Sequence, residues 1–282
     1  MPLLRPALCS LALLILLGWR PLLAADLFYL GQRIPDLDRP WSSAQYHQLL
    51  EALQQLDTSQ ANALPRRNGE FTGPIYRRMV SEENFRPQLN IYVPLEPRQN
   101  EAREVLFQLK ELMRLYFNFR AAQQPYGAEA LGLMTYSLRQ QAVLFTLTTE
   151  FWMTLSQKEQ GNPMRLQGLQ ETKAAAAMLT SSALDYLGLT KQFDREDLEL
   201  YGAELAKLLP ELFVHLDAGI RPQLLARVGQ LAEQHPYPPV RASMAELLPV
   251  LAAIQADVER QLAKPHAPTT PAAKLDLSVP AP

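Results

Sequence analysis

Residues 127–160 read GAEALGLMTYSLRQQAVLFTLTTEFWMTLSQKEQ, and the fold turns on this stretch. Leu131, Met134, Leu138, Phe145, Trp152 and Leu155 recur at near-helical spacing, while Val143, Leu144, Leu147 and Phe151 widen the apolar stripe. A helix that is apolar around most of its circumference belongs at the centre of other helices. Arg139 and Glu150 inside it argue against a membrane span. Gly161-Asn162-Pro163 ends the stretch, and Pro163 suits the first turn of a following helix.

Further helices follow on either side. Downstream, one is expected over Pro163–Leu187, where Ala174–Ala177 lets a neighbour approach closely, and another from the cap Asp194 to Leu209. Gly219 and Pro222 divide the next pair, His235-Pro236-Tyr237-Pro238-Pro239 breaks the pattern, and a last helix runs over Val240–Leu262. Upstream, Ser42 and Ser43 precede the stripe Tyr46, Leu49, Leu50, Leu53 and Leu56. Glu101–Arg120 carries Val105, Leu109, Leu112, Tyr116 and Phe119 on one face. The expectation is all-α: a multi-helix bundle of at least five helices forming a single helical domain over residues 26–263. Residues 66–97 interrupt it. Pro65, Pro74, Pro87, Pro94 and Pro97, with the short runs Phe71–Val80 and Gln88–Leu95, predict an irregular loop or small hairpin. Residues 264–282, rich in Pro and Ala, predict a disordered tail.

Ala203–Pro210 (AELAKLLP) aligns with Ala242–Pro249 (ASMAELLP) at an offset of 39 residues. A period near 40 built from helix pairs is the size of a HEAT-like repeat, and Pro238-Pro239-Val240-Arg241 resembles the turn into the second helix of such a unit. The resemblance covers the C-terminal third and implies HEAT-like helix pairs there. The competing reading is an ordinary bundle in a Leu- and Ala-rich chain.

The 282 residues carry 27 basic and 29 acidic groups, a net charge of -2, so the basic excess of a nucleic-acid binder is missing. The single cysteine, Cys9, excludes a disulfide framework and a Cys-based zinc site. Met1–Ala25 reads as an export signal: Arg5 before the apolar run Ala7–Leu17, then small Ala24-Ala25. The expected address is the periplasm or the exterior after cleavage before Asp26, with an uncleaved N-terminal anchor as the alternative. Ala7–Leu17 is too short to cross ~30 Å of hydrocarbon.

Metalloprotease, nucleophile-elbow and phosphate-loop signatures are absent, and no cofactor is expected. Two candidate catalytic groups remain, Glu150 on the apolar helix and His215. Glu211, His215 and Asp217 also form a candidate N,O,O metal set. An ion pair of Glu150 with Arg139, Arg114 or Lys173 is the plainer reading of that carboxylate. His47, His235 and His266 are expected to be solvated. The candidate binding surface mixes Arg66, Arg67, Arg77, Arg78 and Arg86 with Phe71, Tyr76 and Phe85, the residue types that anchor interfaces, and Tyr92 continues the run of aromatics. Three classes of function follow. The first is an exported, non-enzymatic protein-interaction module (scaffold, accessory subunit, or inhibitor or immunity protein) binding another envelope protein. The second is a helical binder of a lipid or other apolar ligand, and the third an enzyme on a helical fold.

Overall fold

A computed structural model describes residues 27–56, 63–118 and 126–263. The expected export segment, the Pro-rich tail and His266 lie outside these residues. A hairpin comes first, β1 (Leu27–Tyr29) pairing antiparallel with β2 (Gln32–Ile34), Leu27 opposite Ile34. Its two-residue turn puts both Leu30 (φ 48) and Gly31 (φ 82) in the left-handed region that suits a twisted hairpin. The remaining elements are helical: α1 (Ser43–Gln54), α2 (Gly73–Met79), a 3-10 turn (Glu82–Phe85), α3 (Arg86–Leu89), α4 (Leu95–Asn118) and α5 (Gly127–Thr154), then α6 (Gln157–Gln160), α7 (Pro163–Leu187), α8 (Arg195–Phe213), α9 (Arg221–Gln234) and α10 (Pro238–Ala263). The all-α, multi-helix bundle expected from periodicity is what forms.

Helix α5 is the centre. It packs along α4 and against α7 and α8, burying Leu131, Leu133, Met134, Leu138, Leu144, Phe145 and Leu147. Helices α8, α9 and α10 form the C-terminal layer, and one continuous apolar core runs from Ile34 to Leu251. Among the described residues no helix is long and apolar enough to cross a membrane.

The boundaries differ from expectation for reasons that can be named. Helix α5 stops at Thr154 because Ser156 and Glu159 form a new capping box, Ser156 N–H donating to Glu159 Oε2 at 3.0 Å. Residues 66–97 form no hairpin: the short helices α2 and α3, the 3-10 turn and the start of α4 alternate with irregular stretches at 66–72 and 90–94. Pro74 and Pro87 occupy the first turns of α2 and α3, and Pro97 the first turn of α4. There a missing N–H costs nothing, so proline starts a helix instead of breaking one. Pro210 and Pro249 sit inside α8 and α10. The carbonyls they free belong to Ala206 and Ala245, half-buried and exposed, where water can bond them.

The matched segments Ala203–Pro210 and Ala242–Pro249 fall on α8 and α10, which pack together. Tyr201/Val240, Leu205/Met244 and Leu212/Leu251 are buried at the same offset, but Leu209 is buried where Leu248 is half-buried.

Candidate functional site

The helical segment after residue 63 is pinned to the bundle by side chains that reach its backbone. Tyr76 is buried; its hydroxyl donates to the Glu129 carbonyl on α5 at 2.9 Å, and burial beside Glu129 pushes its pKa up. Phe85 is buried and stacks on Tyr136, ring centres 5.0 Å apart. Asn84 donates to Tyr46 Oη at 2.9 Å and to the Arg78 carbonyl at 2.8 Å, and accepts the Trp41 N–H at 2.8 Å.

The arginines divide. Arg78 is tied down, Nε donating to the Leu37 carbonyl at 2.7 Å and Nη1 to Glu83 at 2.9 Å. Arg67 pairs with Asp197 at 2.8 Å, and the Arg66 guanidinium lies 4.6 Å above the Tyr126 ring. Arg77 and Arg86 face solvent. Of the eight candidate binding residues, Tyr76, Phe85 and Arg78 therefore hold the fold, Arg66 and Arg67 are engaged with α8 and Tyr126, and Phe71, Arg77 and Arg86 are presented outward.

Tyr92, an aromatic of the same segment, belongs to an apolar turn between α3 and α4 that the residue types alone do not announce. Ile91 is 78% exposed and Tyr92 90%, next to exposed Leu89 and Val93. They sit on a formed turn: Asn90 Oδ1 accepts the Tyr92 N–H at 3.1 Å, and the Asn90 carbonyl accepts the Val93 N–H at 3.1 Å. The chain on either side is held. Buried Gln88 accepts from Gln140 Nε2 of α5 at 2.7 Å, and buried Arg98 donates to the Gln88 carbonyl at 3.4 Å and pairs with Glu150 at 3.8 Å. The sequence signal was available: Asn two residues before Tyr, in an apolar run bounded by Pro94, reads as a side-chain-closed turn with an apolar tip.

The catalytic and metal candidates are not drawn together. Glu150 is half-exposed and pairs with Arg98, not with Arg139, Arg114 or Lys173. Arg139 instead bonds Glu82 and, at 2.9 Å, Glu204; Arg114 pairs with Glu111, and Lys173 with Asp217 at 3.0 Å. His215 stacks on Phe145 with centres 4.7 Å apart, and Glu211 is exposed. Among the described residues no group of three or more His, Cys, Asp or Glu side chains is placed to hold a metal. His47 stays at the surface beside Glu51, but His235 does not: it is buried, Nδ1 accepting the Tyr237 N–H at 3.2 Å and Nε2 bonding the Leu187 carbonyl at 2.8 Å.

Burial, then the Lys173 charge, lowers the His215 pKa. Its folded value lies below its unfolded value of about 6.5, so protonation favours the unfolded chain. This cost is absent well above pH 6.5, grows as the pH falls through it, and levels off below the folded pKa. His215→Gln should therefore lose melting temperature less steeply than the parent between about pH 7 and pH 5. Thermal melts across that range giving equal slopes would refute it.

No family model matches the chain, and no curated protein and no solved structure is significantly similar to it.

Proposed function

We propose that the protein is an exported, non-enzymatic interaction module of the cell envelope that docks one partner protein through the turn Leu89–Val93. The observation that carries this reading is the exposure of Ile91 and Tyr92 on a turn held at Gln88 by α5 and by Arg98 of α4. Large apolar side chains scattered singly on a surface need no explanation, whereas several held together on a rigid turn mark a contact site. Rigidity matters energetically: a turn already formed loses little conformational entropy on binding. Tyr with neighbouring Arg is the composition of binding hot spots, and Arg86 lies at the start of the same short helix. The partner it fits has an apolar pocket for Ile91 and Tyr92 with acidic groups at its rim. The export pattern of Met1–Ala25 supports an envelope address.

The test is a photo-activated cross-linking residue placed at position 92 in the native host, with position 178 as control. Met178 is also an exposed apolar residue, on α7. One discrete protein adduct from position 92 and none from 178 is the expected result. No adduct, lipid adducts only, or the same set from both positions would overturn the reading.

A further inference from the structure

Beyond the docking turn, we infer that a cavity between α5, α7 and the α8–α9 junction binds a single-chain amphiphile with a monovalent anionic head, a long-chain carboxylate. The cavity, open to solvent on one side, measures about 490 Å³, within the ~300–1,000 Å³ usual for small-molecule sites. Phe145, Trp152, Met153, Leu169, Leu216 and Val258 supply an apolar wall.

The polar groups name the ligand. Arg221, first residue of α9, lines the cavity and is only 2% exposed, yet its Nε and Nη1 have no hydrogen-bond partner. A buried guanidinium without a counter-charge is among the costliest groups a fold can hold. Its position adds to the cost, because a cation at a helix N-terminus opposes the helix dipole. The other ionisable groups on the wall do not relieve it. Lys173 and Asp217 neutralise each other at 3.0 Å, and burial together with Lys173 disfavours a charge on His215. The wall therefore carries one positive charge in excess, held deep, with apolar side chains around it. A carboxylate in the cavity, with the Arg221 side chain turned so that its shielded Nε or Nη1 reaches it and the chain laid along Phe145 and Trp152, satisfies both.

Two other cavities fit less well. The one of about 280 Å³ between α5 and α8 has its charges closed by Arg67–Asp197 and Arg139–Glu204 pairs. That beside α4, about 470 Å³, holds an unpartnered but neutral amide, Gln141.

Dodecanoate, dodecanol and acetate serve as probes of the full chain, read by titration calorimetry and thermal shift. Dodecanoate should bind one per chain and raise the melting temperature, as any ligand selective for the folded state does. Dodecanol and acetate should each bind at least tenfold more weakly, one lacking the charge and the other the chain. Arg221→Met should bind dodecanoate at least tenfold more weakly, and its ligand-free melting temperature should equal or exceed the parent's because an unpaired buried charge is removed. Leu169→Trp, which fills the cavity and leaves Arg221 in place, should also lose binding. Equal affinity for dodecanol, an unchanged affinity in Arg221→Met, or no binding of dodecanoate by the parent would overturn the proposal.

Discussion

Asn84→Ala should destabilise the protein by about 3 kcal/mol or more, since it removes three hydrogen bonds worth ~1 kcal/mol each and orphans a buried donor at a further ~1–3 kcal/mol. Asn84 is buried where the chain before α1, the end of α2 and the core of α1 meet. Its amide donates to Tyr46 Oη and the Arg78 carbonyl, and its carbonyl oxygen accepts the Trp41 N–H. Tyr46 in turn donates to the Met79 carbonyl at 2.6 Å, and Tyr136 to that of Ser81 at 3.0 Å. The alanine variant leaves the Trp41 N–H without an acceptor. In a chain of this size the melting temperature should fall by roughly 6–12 °C. A urea titration showing a loss under 1 kcal/mol would remove Asn84 from the centre of the account.

The second large effect has an unexpected sign. In an open helix Gly→Ala gains about 0.5–1 kcal/mol. At Gly132 of α5 an added Cβ falls on the Tyr76 hydroxyl, which is buried and bonded to the Glu129 carbonyl at 2.9 Å. Gly132→Ala should lose about 2 kcal/mol, as overpacked cores do. Tyr76→Phe removes the obstructing oxygen at the cost of one hydrogen bond, about 1 kcal/mol. The double variant should lose less than the two singles together by at least ~1 kcal/mol. Additivity within ~0.5 kcal/mol would show that α2 and α5 do not meet as described.

What could be read from the sequence was local. Helix α7 runs over the expected residues because both stops are written beside it, Asn162-Pro163 at one end and Leu187-Gly188 at the other. The all-α class followed from periodicity at 127–160. Proline misled in one direction only: taken as a breaker, it marks first turns at Pro74, Pro87 and Pro97. The site residues were legible as types, not as roles. Nothing near Arg78 in sequence announces that Leu37, 41 residues away, would accept its Nε–H, or that Arg139 would reach Glu204 across 65 residues. Such partners are set by helix packing. Asn84 escaped notice for the same reason: two of its three partners, Trp41 and Tyr46, lie in or just before α1. Nothing beside Arg221 in sequence, where Pro222 marks only a first turn, announces that packing would leave its side chain 2% exposed.

The most direct test of the account replaces the displayed tip, Ile91→Ser with Tyr92→Ser, and measures partner affinity and thermal stability on the same sample. Both side chains are exposed and make no core contact, so stability should stay within about ±0.5 kcal/mol of the parent. Affinity for the protein cross-linked at position 92 should fall at least thirtyfold, about 2 kcal/mol, the scale of losing one hot spot. A variant that melts well below the parent while keeping its partner would mean that the turn holds the fold together and docks nothing.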